Sequence, residues 1–212
     1  MPKLKECAYI IATLISLLAF DFTYASKESS FSVNNYLNEI LSLQANFKQT
    51  IFSPTNDVID YSEGSFLLKK PGKIMWQFTV PSIKKITVQE QKISTYDANL
   101  NQVVIVPFSD RYQSSLANIL LKNDSLMSYY KIHSETEKDN VYSVVLVQKG
   151  SNNFFKRVKI SVVKMHLTKI KLWDASGQSI DISFDDIVLN ASLSDASFEF
   201  SIPKGADVFD QT

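Results

Sequence analysis

The sequence predicts a mainly β protein, built from short and mostly antiparallel strands with two or three short helices. Three observations predict it. From Ala45 onward most segments alternate apolar and polar residues at period two. Turn signals interrupt them at short intervals: Pro71-Gly72, Pro81-Ser82, Glu90-Gln91, Ala98-Asn99 and Ala175-Ser176-Gly177. The 14 Phe and 9 Tyr suit a pleated, half-buried surface. Tight turns between successive strands make neighbours antiparallel, and no linker divides the chain, so one domain is expected.

Residues 1–25 read as an export signal. Lys3 and Lys5 precede an uncharged apolar run from Ala8 to Phe20, and Thr23-Tyr24-Ala25 offers a short residue for cleavage after Ala25. The run stops at Asp21, short of the ~20 residues that span a bilayer, which counts against an uncleaved anchor. Cys7, the single cysteine, lies before the apolar run and away from the cleavage point, where a lipidated first residue would stand. A mature domain of residues 26–212 would then carry no cysteine and no disulfide, and a core of this size does not need one.

In the mature chain Ser32 is placed to cap a helix, and Val33, Tyr36, Leu37, Ile40 and Leu41 form its apolar stripe, ending near Ser42. Ala45–Phe52 and Tyr61–Lys69 read as strands, the second with a bulge or bend at Gly64. The rest of the chain is organised around its middle, Tyr61–Val106, which reads as four short strand-like runs separated by turns. In its second run Ile74, Trp76, Phe78 and Val80 point one way and Met75, Gln77 and Thr79 the other. Pro107 ends this region, and a second helix opens at Ser109 or Asp110 with Tyr112, Leu116, Ile119, Leu120 and Leu121 on its apolar side. Ser125–Tyr130 is a short segment of open type. Val141–Gln148, Val158–Val163, Leu167–Trp173 and Ser179–Asn190 are further strands, and Phe198, Phe200 and Ile202 pattern as the last, for about ten or eleven in all.

Composition excludes several function classes. The 22 basic and 22 acidic residues balance, so there is no electrostatic case for nucleic acid or an anionic membrane. His133 and His166 lack ligand spacing, and Asp174, Asp181, Asp185 and Asp186 have no calcium-loop order and fit a solvated sheet face. No nucleophile elbow, phosphate loop or dinucleotide fingerprint occurs, so neither a catalytic residue nor a cofactor or metal is assigned. Excess apolar surface is present instead. Phe47, Phe66, Met75, Trp76, Phe78, Tyr96 and Ile105 can all face inward, either as an ordinary core or as the lining of a hollow. A hollow of this kind takes an acyl chain, each buried CH₂ contributing roughly 0.8 kcal/mol. Lys70, held extended by Pro71, is either a solvated strand end or a donor reaching a helix terminus, where carbonyls lack partners.

Four stretches in series carry a family resemblance: Leu43-Gln44-Ala45-Asn46-Phe47-Lys48-Gln49; Gly64 to Gly72 with Met75-Trp76-Gln77-Phe78 and Pro81; Ile93 to Val104 with Tyr96-Asp97 and Gln102-Val103; and Phe198-Glu199-Phe200 with Pro203, Gly205 and Val208. Behind an export signal, this resembles the periplasmic outer-membrane lipoprotein carrier family, LolA. The resemblance implies a single, strongly curved antiparallel sheet forming an unclosed barrel, covered by short lid helices. It implies a soluble monomer in the periplasm that accepts triacylated lipoproteins from an inner-membrane lipoprotein-releasing ABC transporter. It would shield their acyl chains and pass them to an outer-membrane receptor without catalysing a reaction. The seven inward apolar residues would line the acyl-chain cavity. Val33, Tyr36, Leu37, Ile40, Leu116, Ile119 and Leu120 would form the lid contacts with Lys70.

The family usually has arginine at the position of Lys70, and lysine offers three donors on a flexible stem in place of a planar fork of five. A lid held less rigidly is expected. The alternatives are a related outer-membrane receptor of the LolB type, which needs a lipidated cysteine that Thr23-Tyr24-Ala25-Ser26 lacks, and a non-carrier secreted structural domain with a filled interior.

Overall fold

The computed structural model describes residues 31–89, 91–108, 120–121, 126–150 and 155–212. The export signal expected at residues 1–25 lies outside them, as do most of the second helix and its residues Leu116 and Ile119. Ser32–Thr212 form one compact unit.

Helix α1 (Val33–Glu39) opens where Ser32 Oγ accepts the Asn35 amide at 3.4 Å. It is shorter than the apolar stripe predicts. Ile40 is already extended, and Leu41 is 61% exposed. The cause is a side chain far away in sequence: Asn190 Oδ1 accepts the amides of Leu41 and Ser42 at 2.8 and 3.3 Å, which removes the donors that another helical turn would use.

The strands follow as β1 (Ser42–Phe52), β2 (Val58–Lys69), β3 (Lys73–Val80), β4 (Lys84–Gln89), β5 (Lys92–Asp97) and β6 (Gln102–Pro107). A short helix α2 (Leu126–Tyr129) leads into β7 (Tyr130–Lys138), β8 (Val141–Gln148), β9 (Phe155–Val163), β10 (His166–Asp174), β11 (Ser179–Leu189) and β12 (Asp207–Asp210). All twelve strands lie in one open sheet, in the order β12-β6-β5-β4-β3-β2-β1-β11-β10-β9-β8-β7. Every pairing is antiparallel except β12 with β6. The sheet is two meanders joined at its centre, where β1 pairs with β11. A sheet of more than ~10 strands curls rather than staying open and flat, and this one is a strongly curved, unclosed barrel.

Curling buries one face. Along β11 to β8 the inward positions Ile182, Ile170, Leu172, Ile160, Val158, Val144 and Leu146 are at most 2% exposed. The outward positions are polar and paired: Lys169 and Lys171 both reach Asp181, at 3.0 and 2.9 Å. Asp174 caps the β10–β11 turn through the amides of Ser176 and Gln178, and Asp186 accepts from Asn46 Nδ2 at 2.8 Å. Each of these aspartates has a structural partner.

The C-terminal region corrects the sequence reading. Phe198, Phe200 and Ile202 do not form a strand. Phe198 ends a 3₁₀ turn (Asp195–Phe198) that Ser194 caps through the Ala196 amide at 3.3 Å, and it is fully buried. The segment is a strap over the outer face. Lys69 and Lys73 meet Asp195 at 2.7 and 2.8 Å, holding its carboxyl down at about 2. Lys85 Nζ donates to the Glu199 carbonyl at 3.0 Å. Outward-facing Thr87 and Val103, at 2% and 0% exposure, are buried on the face the strap crosses. Alternation alone does not separate a strand from an anchor followed by extended chain.

Gly64 is the bend in β2. The register with β3 slips between Glu63 and Gly64, and a Cβ there would lie 1.8 Å from the Gln77 carbonyl oxygen, a backbone atom. Gly64→Ala therefore has to displace β3. We expect it to lower the urea unfolding midpoint at unchanged slope, by about 1–3 kcal/mol as for other overpacking changes.

Candidate functional site

The inner face carries the site, and register assigns its rows. Phe47, Gly64 and Phe78 lie opposite one another across β1, β2 and β3, and Ala45, Phe66 and Trp76 form the next row; residues so paired share a face. Phe184 joins from β11 as the partner of Phe47. The rings meet edge to face, Phe47 with Trp76 at 5.3 Å and with Phe78 at 5.1 Å, and Phe66 with Trp76 at 5.0 Å. Trp76 and Phe78 stack at 6.1 Å, and Phe66 meets Phe184 at 5.7 Å. Each such pair adds about 0.5–1.5 kcal/mol beyond its buried area. The missing side chain at Gly64 leaves room for Phe47 and Phe78 to meet above it.

The two halves of this face differ. Under β8–β11 the core is filled. On β3–β6, Trp76, Phe78, Ile86 and Val104 are only half-buried, so a strip of apolar surface there is partly uncovered.

The same register divides the predicted cavity set. Met75 pairs with Thr87, Tyr96 with Lys85, and Ile105 with Ser94. These rows alternate with those of Trp76 and Phe78, so Met75, Tyr96 and Ile105 face outward, on the side the C-terminal strap crosses. Phe47, Phe66, Trp76 and Phe78 come together, and the other three do not join them. The outward set is apolar because the strap covers that face too, which local sequence does not reveal.

Helix α1 buries its stripe: Val33, Tyr36, Leu37 and Ile40 are each at most 5% exposed. Tyr36 Oη donates to the Met165 carbonyl at 3.1 Å. Burial pushes its phenol up to about 12, against a smaller opposing effect from the Leu167 backbone. At the other end of the helix, the last carbonyls have no intrahelical partners. Lys70 Nζ donates to the Leu37 carbonyl at 2.6 Å, and Asn190 Nδ2 to that of Glu39 at 3.2 Å. Burial lowers the Lys70 ammonium from its ordinary value. Leu120, of the second helix, is 5% exposed. Local sequence does not mark Asn190 as a site residue, because its partners lie about 150 positions earlier. The available signal is an Asn ending a long strand, a residue that accepts the left-handed backbone it has here, at φ 56°.

Among the described residues no cluster of three or more His, Cys, Asp or Glu is placed to hold a metal, and no helix is long and apolar enough to cross a membrane.

Residues 38–201 match the family model described as outer membrane lipoprotein carrier protein LolA. The chain belongs to the LolA family. Among curated LolA-family relatives, an outer-membrane lipoprotein carrier protein of Legionella pneumophila strain Lens is 31% identical over 93% of this chain and 98% of its own. One from Methylococcus capsulatus is 28% identical over 99% of both. An uncharacterized conserved protein from Thermus thermophilus shares the fold, with a TM-score of 0.53 at 14% identity over 84% of this chain and 95% of its own.

Two outcomes follow from the α1 contacts. Lys70→Ala strands the Leu37 carbonyl, so amides of residues 36–41 should exchange about tenfold faster by hydrogen–deuterium exchange at an unchanged global melting temperature. Alkaline pH should loosen the fold with a defined sign. The unfolded chain releases the Tyr36 proton near 10.0 and the folded chain near 12, so stability is constant below the first value and falls between the two. Tyr130, buried and likewise raised to about 12, adds to the fall. Tyr36→Phe should make the decline shallower in melts taken from pH 9 to 12.

Proposed function

We propose that this protein is a periplasmic carrier that holds the acyl chains of lipoproteins leaving the inner membrane and delivers them to the outer membrane. One observation carries the reading. The apolar inner face of β3–β6 is half uncovered around Trp76, Phe78, Ile86 and Val104, while the inward Ile182, Ile170, Leu172, Ile160, Val158, Val144 and Leu146 of β8–β11 are packed shut. A secreted structural domain gains nothing from leaving this strip open. A carrier needs it, because binding a flexible acyl chain asks for apolar area and little geometry.

Family membership supports the cargo class, and so do the printed names of the relatives. The N-terminal export signal supports a mature domain that works in the periplasm as a soluble monomer. The donor and acceptor on the route are an inner-membrane lipoprotein-releasing ABC transporter and an outer-membrane receptor. A LolB-type receptor is disfavoured by the lack of a cysteine after Ala25. The role is binding and release, not catalysis. Helix α1, with the segment expected from the sequence to carry Leu116, Ile119 and Leu120 as a helix, is the lid, and Lys70 is its latch. A single ammonium–carbonyl bond holds less rigidly than a bidentate guanidinium would.

Photocrosslinking tests the reading. A photoreactive residue at Phe78, on the inner face, should give adducts with lipoproteins in the periplasm of the host. The same residue at Ile105, on the outer face, should give none. Equal labelling from both positions, or none from Phe78, would reject the acyl-chain site.

A further inference from the structure

We propose that the Trp76 indole N–H is a fixed hydrogen-bond donor for an acyl carbonyl oxygen of the cargo, at the head of its hydrocarbon chains. This rests on the carrier reading and adds to it a polar anchor inside an otherwise apolar site.

Trp76 Nε1 has essentially no solvent contact and no acceptor among the described residues. Its surroundings explain why. The ring is packed by Phe47 and Phe66 edge to face and stacked on Phe78, and none of these offers an acceptor. A buried donor left unpaired costs about 1–3 kcal/mol. Several buried donors elsewhere are satisfied: Tyr36 Oη by the Met165 carbonyl, Tyr130 Oη by that of Phe155, and Ser143 and Ser161 by each other at 3.1 Å; the buried hydroxyl of Thr87, on the outer face, shares with Trp76 the lack of a partner among the described residues. Asp181 Oδ1 faces Lys171 Nζ at 2.9 Å. The indole differs from an amide or a hydroxyl in that it donates only. It cannot turn to present a lone pair, and with no partner among the described residues it is open to an acceptor brought in by the cargo.

Position names the acceptor. Trp76 sits where the aromatic cluster meets the half-uncovered strip, beside Ile86 in the next strand. The hydrocarbon of a chain lying along that strip replaces the lost water contacts of the rings. The one polar group an acyl chain brings into such a place is the carbonyl that joins it to its headgroup. Phenylalanine would keep a smaller aromatic ring there without the unpaired group, so the N–H is a feature of Trp76 that apolar packing does not require.

The test compares a lipopeptide with two palmitoyl ester chains, its dialkyl ether analogue, which lacks only the ester carbonyls, and the ether analogue bearing an N-palmitoyl amide, which restores one carbonyl and adds a chain. The folded protein should bind the diester about tenfold more tightly than the diether, the worth of one buried bond. Trp76→Phe should bind both equally and like the diether. A gain by the N-acylated diether that Trp76→Phe removes identifies the amide as a source of the carbonyl and supports the proposal. As a second readout that leaves Trp76 in place, its indole proton resonance, isolated in Trp173→Phe, should move downfield with the diester and stay put with the diether. Equal affinity of the unaltered protein for all three probes, or a preference that survives in Trp76→Phe, overturns the donor role while leaving the carrier reading intact. Failure to bind any probe overturns both.

Discussion

One constraint governs this molecule: a single sheet has one apolar face and no second sheet to pack it against. Twelve strands in one layer can bury that face only by curling it inward. The curl is built in locally. The register slips at Gln44/Asn46 in β1 and at Glu63/Gly64 in β2, and bulges of this kind bend a strand and raise its twist. The two meanders close unequally. β8–β11 roll tightly enough for inward Val, Ile and Leu to fill their own space. β3–β6 carry four large aromatic or aliphatic groups that do not. The edges are handled separately: β12 adds in parallel to β6, while β7 ends the other side with a bulge at Ile132/Ser134 and with Lys131, Glu135, Glu137 and Lys138 along it, features that discourage pairing with another chain.

Much of this is legible in local sequence. Period-two alternation and turn residues locate the central strands, the bend at Gly64, and the helix with its Ser32 cap, because each depends on neighbours within a few positions. What local sequence misses depends on distant residues. Leu41 continues the helical stripe in sequence, yet Asn190 takes its amide and turns the chain into β1. Phe198, Phe200 and Ile202 alternate like a strand, but only Phe198 is buried, and the lysines of β2–β4 bind the backbone around it as a strap. The strap in turn covers part of the second face of β3–β6, where Thr87 and Val103 are buried. Seven residues that look equally inward in sequence therefore split between the two faces, with the half-buried Met75, Tyr96 and Ile105 on the outer one.

The cover over the inner face is held by few interactions. Helix α1 has seven residues, too few to persist without docking. Its apolar side chains supply area, and its direction is fixed by Tyr36 at its middle and by Lys70 and Asn190 at its C-terminal end. Asn190 is part of the backbone junction: its own amide bonds the Ser42 carbonyl at 2.8 Å, and Ser42 Oγ bonds the Ala191 carbonyl at 2.6 Å. It stays wherever β1 and β11 stay. Lys70 is different. Its stem is flexible, and its ammonium is half-buried at a cost that lowers its pKa. Of the contacts at this end, it is the one that can let go without disturbing the sheet.

That weakness suits a carrier, and magnitudes say why. A hydrogen bond from a charged donor is worth about 1.5–3 kcal/mol net. Each methylene brought out of water contributes roughly 0.8 kcal/mol. The latch is therefore matched by about two to four methylenes of cargo, a small part of any acyl chain long enough to anchor a protein in a membrane. In the proposed lid, a chain that displaced the helix would have to replace this bond and the apolar area that Val33, Tyr36, Leu37 and Ile40 bury, so the latch sets only part of the balance between the two states. A ligand shifts such an equilibrium only by its difference in affinity for the two states. A rigid fork in place of Lys70 would deepen the closed state and raise the threshold for loading. A cavity with no latch would hold its cargo at full hydrophobic strength and give it up slowly. A single lysine on a carbonyl lies between these extremes, where a chain can be both picked up and handed on.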